Sequence, residues 1–164
     1  MSVFLCFHMT RFSAVLVGPK TPGNIGAVAR CLANFNGDEL VLVNPRCDIT
    51  SRSYSRARKG DRFLENRRVV SSLDALSDYN ALLATTGLLG GPGNLRRQPV
   101  DSSSLASVLP SGSSRVGLVF GREDVGLEND EIERCDHVVH IPASSRFPVM
   151  NLSHAACIVL YEAY

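Results

Sequence analysis

Lysine is almost missing from this chain. Of its 17 basic residues 15 are arginine, whose planar fork suits bidentate phosphate recognition and stacking on bases. Long apolar runs are missing too: no stretch approaches the ~20 residues of a membrane-spanning helix. The opening MSVFLCFHM is short and has no basic leader, so the sequence predicts a soluble, cytoplasmic protein with no membrane partner. The cysteines, Cys6, Cys31, Cys47, Cys135 and Cys157, are odd in number, widely spread and include no C-x-x-C pair. Reduced thiols packed as small hydrophobes fit that pattern better than a disulfide frame or a zinc site. Neither H-E-x-x-H nor G-x-S-x-G occurs, and no internal repeat is visible. With 164 residues, 45% of them hydrophobic and 20% charged, the composition predicts one domain with a sizeable core and excludes disordered and fibrous classes.

What is there alternates. Apolar, β-branched runs fall at 12–18, 39–44, 81–87, 115–121 and 137–142, and most end in Gly, Asn or Pro. Helical patterns lie between them, at 24–36, in a basic stretch with SLDAL (72–76), at 103–109, at 128–135 and from Asn151 onward. Strands alternating with helices, each strand almost continuously apolar, predict an α/β fold, a mostly parallel sheet flanked by helices. Ligands of such sheets sit beyond the carboxyl ends of the strands, where this chain places Gly18, Gly87, Gly121 and the loop at Pro142. The stretch GLLGGPGNLRRQP (87–99) reads as a flexible loop whose Arg96 and Arg97 either reach an anionic partner or decorate an ordinary surface.

The segment GPKTPGNIGAVARC (18–31) follows the first run. Gly18 and Gly23 have the G-x-x-x-x-G spacing of a phosphate loop, but Asn24 and Ile25 stand where its lysine and hydroxyl belong, and no G-x-G-x-x-G follows the strand. Nucleotide-phosphate and dinucleotide chemistry are thereby excluded. At about 100° per residue, Ile25, Val28, Ala29, Leu32 and Phe35 share one helix face, and Gly26, Ala27, Arg30 and Asn34 share the other. Small residues beside an arginine permit close approach by a ligand or by another backbone. Arg30 is either presented to a ligand or paired with an acid on a neighbouring helix.

Charge is unevenly spread. Between Arg46 and Arg68 eight basic residues (Arg46, Arg52, Arg56, Arg58, Lys59, Arg62, Arg67, Arg68) stand against three acids, a local excess of +5, whereas Glu123 to Asp136 holds seven acids. The basic run is either an anion-binding surface or a solvated helical face.

Three segments, PGNIGAVARC (22–31), LVFGREDVGLENDEI (118–132) and IPASSRFPVMNLSHAACIVLYE (141–162), resemble in order and spacing the three motifs of the SPOUT superfamily of RNA methyltransferases. The resemblance covers nearly the whole chain and is greatest to the TrmH-like branch and its TrmJ type of tRNA ribose 2′-O-methyltransferase. It implies an α/β fold whose C-terminal segment threads a loop to form a deep trefoil knot, an exception to the rule against knots. It also implies an S-adenosylmethionine (SAM) site inside that knot, an obligate homodimer, and 2′-O-methylation of tRNA at the anticodon-loop nucleotide, position 32. No metal is called for, because a methyl group on a sulfonium is already activated and needs only alignment with the ribose 2′-oxygen and help with its proton.

Carried over residue by residue, the resemblance implies that Arg30 is the catalytic arginine. A guanidinium is a poor base, so its implied role is to orient the phosphate–sugar unit and stabilise the developing alkoxide. Asn24 would shape the active-site loop, or serve only as a helix cap. Glu123 would anchor that loop or the dimer partner through an arginine, or only complement a helix dipole. Asn151 and Ser153 would hold the substrate side of the pocket. Thr86, Gly87, Leu88, Gly121, Ile141, Met150, Asn151 and Leu152 would bind the cofactor, and Arg56, Arg58, Lys59, Arg96 and Arg97 the RNA. The chain departs from the family at Val149-Met150-Asn151, where a serine commonly precedes a Leu-Asn pair, so no role of that hydroxyl carries over. The last helix is apolar nearly all round, which implies burial by its own sheet and by a second subunit. It ends without a cap, and TrmJ-type relatives continue into a helical tRNA-binding region, so the expectation is one catalytic domain, 1–164, truncated before that region. The rival readings are methylation of another tRNA or rRNA nucleotide, and a catalytically idle knotted dimer that only binds RNA.

Overall fold

The computed structural model describes residues 10–87 and 98–164. Cys6, Leu88, Arg96 and Arg97 lie outside the described residues, and with them three of the expected binding positions. Along the chain run β1 (Arg11–Val17), α1 (Pro22–Asn34), β2 (Leu40–Val43), α2 (Ser51–Ala57), α3 (Asp61–Glu65), β3 (Arg68–Val70), β4 (Ala81–Thr86), β5 (Val100–Asp101), β6 (Arg115–Phe120), α4 (Asn129–Glu133), β7 (His137–His140) and α5 (Leu152–Ala163). Turns of 3-10 helix occupy Arg58–Gly60, Leu73–Leu76 and Ser102–Val108. The strands form one seven-stranded sheet in the order β3-β2-β1-β6-β4-β7-β5, and every pairing is parallel.

The expected parallel sheet is present, and each of the five apolar runs supplies a strand. Two short strands, β3 at the end of the basic run and β5, add to them. SLDAL and SSLASVL form 3-10 turns instead of the α-helices expected there. The central strands are apolar without alternation because both faces are covered: Leu40–Val43 is buried throughout, as is Val116–Phe120. On one face Leu16, Leu42, Leu118 and Phe120 pack with Ile25, Val28 and Leu32 of α1 and Val159 and Leu160 of α5. On the other Val15, Val41 and Val119 meet Leu73, Leu76 and Tyr79. Each such large side chain contributes roughly 1.5–3 kcal/mol by leaving water. Cys31 and Cys135 pack in these layers as small hydrophobes.

The two faces read for α1 are resolved unequally. Ile25, Val28, Ala29 and Leu32 are buried as expected, but so is Gly26. A Cβ on Gly26 would lie 2.0 Å from the Ser53 carbonyl oxygen of α2, and one on Gly60 would lie 2.4 Å from the Ala29 carbonyl oxygen. Of the two approaches that small residues allow, the one at Gly26 is by another backbone: α2 and the turn after it are seated on α1. No helix among the described residues is long and apolar enough to cross a membrane.

Candidate active site

The three motif segments meet at the N-terminus of α1. Thr21 is the N-cap and Pro22 opens the helix, which suits a residue with a fixed φ and no N–H to satisfy. Asn24 is therefore not the cap, and its side chain is left for tertiary contacts. Its Nδ2 donates to Glu123 Oε1 at 3.1 Å, and its Oδ1 accepts from Asn151 Nδ2 at 3.3 Å. The Glu123 carboxylate also accepts the backbone N–H of Lys20 and of Thr21, each at 3.0 Å. Asn151 is the N-cap of α5, with its Oδ1 accepting from Ser153 N–H at 2.9 Å and from Ser153 Oγ–H at 2.7 Å.

One hydrogen-bonded chain, Glu123–Asn24–Asn151–Ser153, thus ties the segment after β6 to the starts of α1 and α5. Partial burial would raise the Glu123 carboxyl, but the donors from Asn24, Lys20 and Thr21 outweigh it and hold the group below its ordinary value. Within the chain Glu123 grips the approach to α1 through backbone N–H groups and an asparagine, and no arginine among the described residues takes part. The reading of an acid near a helix dipole survives in part, since that approach is the positive end of α1. The arginine beside it acts elsewhere. Arg122 forks onto Glu131 at 2.9 and 2.8 Å, across the loop that the Arg122–Gly126 bridge closes.

Behind this chain, beyond the carboxyl ends of β4, β6 and β7, opens a cavity of about 310 Å³, within the range of small-molecule sites. Thr86, Gly87, Gly121, Ile141, Met150 and Leu152, six of the positions the resemblance assigns to the cofactor, line it. Asn151 is not among the lining residues; it belongs to the hydrogen-bonded chain just described. Phe120, Val125, Leu127, Ile132, Pro148 and Val149, none of them among the expected cofactor positions, supply much of the apolar wall. All six stand inside the quoted motifs, but nothing in their type separated cavity wall from core. Gly121 is glycine for a local reason as well, since a Cβ there would lie 2.1 Å from the Gly126 carbonyl carbon.

Arg30 stands apart. It is six positions beyond Asn24 on α1, ~9 Å along the axis and about 120° around it, and it does not line the cavity. It is exposed and enters no ion pair among the described residues, so the reading of an arginine paired with an acid on a neighbouring helix fails. The basic run divides. Arg68 pairs with Asp78 at 2.9 Å and Arg67 donates to the Leu64 carbonyl at 2.6 Å, so these two are structural. Arg56, Arg58 and Lys59 are exposed, with no ion pair among the described residues.

Comparison with known proteins gives one consistent result. Residues 11–161 match the SpoU rRNA Methylase family. The chain is 41% identical to the tRNA (cytidine-2′-O-)-methyltransferase TrmJ of Methanocaldococcus jannaschii, over 93% of this chain and 66% of that enzyme. To the tRNA (cytidine/uridine/adenosine-2′-O-)-methyltransferase TrmJ of Pseudomonas aeruginosa it is 35% identical, over 94% of this chain and 60% of that enzyme. Among solved structures, TrmJ from Z. mobilis superimposes with a TM-score of 0.82 at 30% identity, covering 92% of this chain and 67% of that one. A probable methylase family protein from Haemophilus influenzae gives 0.84 at 28% identity, covering 94% and 65%. The chain thus spans less than two thirds of the length of the curated relatives it matches.

Proposed function

The chain belongs to the SpoU rRNA methylase family, and from that premise we propose that it is the catalytic domain of a cytoplasmic SAM-dependent tRNA ribose 2′-O-methyltransferase. Position 32 of the anticodon loop is the target expected from the family resemblance. The observation that carries the proposal is the convergence of all three motifs on one hydrogen-bonded chain beside a cavity at the strand ends. The 2′-O-methyltransferase relatives with 41% and 35% identity support the reaction class.

The cavity wall of Phe120, Ile141, Met150 and Leu152, with backbone at Gly87 and Gly121, suits an adenosine with a short charged tail. Bound there, SAM would supply an activated methyl group. The protein's own task is then to bring the ribose 2′-oxygen in line and to manage its proton. Asn24 and Asn151, held by Glu123 and Ser153, fix the shape of the mouth where ribose and donor meet. Arg30 orients the adjoining phosphate and stabilises the alkoxide as it forms.

Arg30 points to a homodimer, because within one chain it does not line the cavity; a second copy would bring its Arg30 to the first copy's mouth. Phe35, with Tyr161 edge-on at 5.8 Å and Tyr164 tilted against it at 6.1 Å, gives the joined ends of α1 and α5 an aromatic surface suited to such an interface. The C-terminal segment from Ile141 through α5 is the part expected to thread the knot. Arg56, Arg58, Lys59, Arg96 and Arg97 are assigned to the RNA backbone.

The test is transfer from methyl-labelled SAM to a tRNA transcript and to the same transcript with 2′-deoxyribose at position 32. Label on the ribose of the first and none on the second supports the proposal. Label on a base, or no SAM binding by calorimetry, refutes it.

A further inference from the structure

Arg58 has φ 54° and ψ −122°, a backbone conformation that glycine adopts freely and a residue with a Cβ does not. The two other described non-glycine residues at positive φ are Asn36 and Asn44, a type that tolerates the left-handed region. An arginine there persists only if its surroundings hold it, and three constraints do. The Arg58 N–H closes α2 on the Tyr54 carbonyl. The Arg58 carbonyl accepts the Asp61 N–H that starts the next helix. Gly60 then seats the turn on α1 at the Ala29 carbonyl and the Arg30 N–H, where a Cβ would come within 2.4 and 2.8 Å.

The strained turn is therefore locked to the backbone of Arg30 itself. Arg30, Arg58 and Lys59 are all exposed there without ion pairs among the described residues, and the nearby Asp61 caps Arg62 N–H at 2.9 Å. A turn required only to join two helices would be served better by glycine at position 58.

Resting on the methyltransferase reading above, we propose that Arg58 is a positioning residue. With Arg30 it grips one phosphodiester of the bound RNA next to the reacting ribose, and its strained backbone fixes that second cation relative to the first. Two arginines carried on abutting backbone segments offer two cations to one anion, with less to order on binding than mobile surface arginines would have.

The experiment compares wild type, Arg58→Gly and Arg58→Lys. It measures melting temperature, SAM affinity by calorimetry, tRNA affinity against salt, and single-turnover methyl transfer at saturating tRNA. Arg58→Gly is expected to melt at or above the wild-type temperature and to bind SAM unchanged. It should lower the salt slope of tRNA binding by about one and lose on the order of tenfold in transfer rate even at saturating tRNA, with Arg58→Lys recovering part of that loss. A wild-type rate for Arg58→Gly at saturating tRNA, or an Arg58→Lys no better than Arg58→Gly, overturns the proposal while the methyltransferase reading stands. Absence of transfer and of SAM binding by the wild type removes the underlying reading instead.

Discussion

The acidic stretch after β6 and the basic stretch around α2 carry comparable charge, and the fold uses them in opposite ways. The acids are engaged within the chain. Glu123 holds the approach to α1, Glu131 receives both arms of Arg122, and Asp136 accepts the Leu82 N–H at 2.8 Å. Among the bases, Arg67 and Arg68 are likewise engaged, but Arg56, Arg58, Lys59 and Arg30 are left to solvent with no ion pair among the described residues. A protein that balances one set of charges internally and leaves the other unpaired on its surface retains positive potential for an external anion. Composition does not reveal this, since a net charge of +1 averages the two regions.

The difference predicts that the two stretches fail in different assays. The largest effect is expected from Arg30→Ala, which should lower methyl transfer by about 10²–10³-fold with SAM affinity and melting temperature unchanged; a large fall in stability would instead make Arg30 structural. Next, joint replacement of Arg56, Arg58 and Lys59 by Ala should weaken tRNA binding on the order of 10- to 100-fold near 0.1 M salt and flatten its salt dependence. An unaltered tRNA affinity would return the run to a solvated face.

Glu123→Gln should act on the other side of the comparison, costing ~1–2 kcal/mol of stability through the weakened hold on Asn24, Lys20 and Thr21. Because the folded-state carboxyl titrates below its ordinary value of 4.5, its contribution is fully present above that value and is lost as pH falls through the lower folded value. Melting curves of wild type and variant should therefore converge on acidification and stay apart at neutral pH. A gap that widens as pH falls would contradict the assignment. The smallest effect, within ~0.5 kcal/mol, is expected from Arg134→Ala, whose ion pairs with Asp74 and Asp130 lie at the surface.

Much of this arrangement was legible in the sequence. The long strands announce themselves by unbroken apolar runs, and the motif order brought Asn24, Glu123 and Asn151 into one site. What escaped has physical reasons. Strand β3 is three residues long at the end of an arginine-rich run, and β5 is a two-residue pairing, so neither is long enough to show a period. The break after α2 falls on an arginine in a glycine-like conformation, where residue type points the wrong way. Gly26 was visible as a small residue and Gly60 was not singled out, and only three-dimensional contact tells a helix–helix seat from a ligand's approach. The place of Arg30 outside the cavity was equally hidden, because helical periodicity assigns a face and not what that face meets.

The proposed activity is modification of a ribose on tRNA, with Arg30 as the acting side chain. Its most direct test is mass-spectrometric mapping of tRNA incubated with SAM and either the wild-type chain or Arg30→Ala. A 2′-O-methyl group is expected at one anticodon-loop nucleotide with the wild type and almost none with the variant. Equal methylation by both proteins, or a methyl group found on a base, would contradict it.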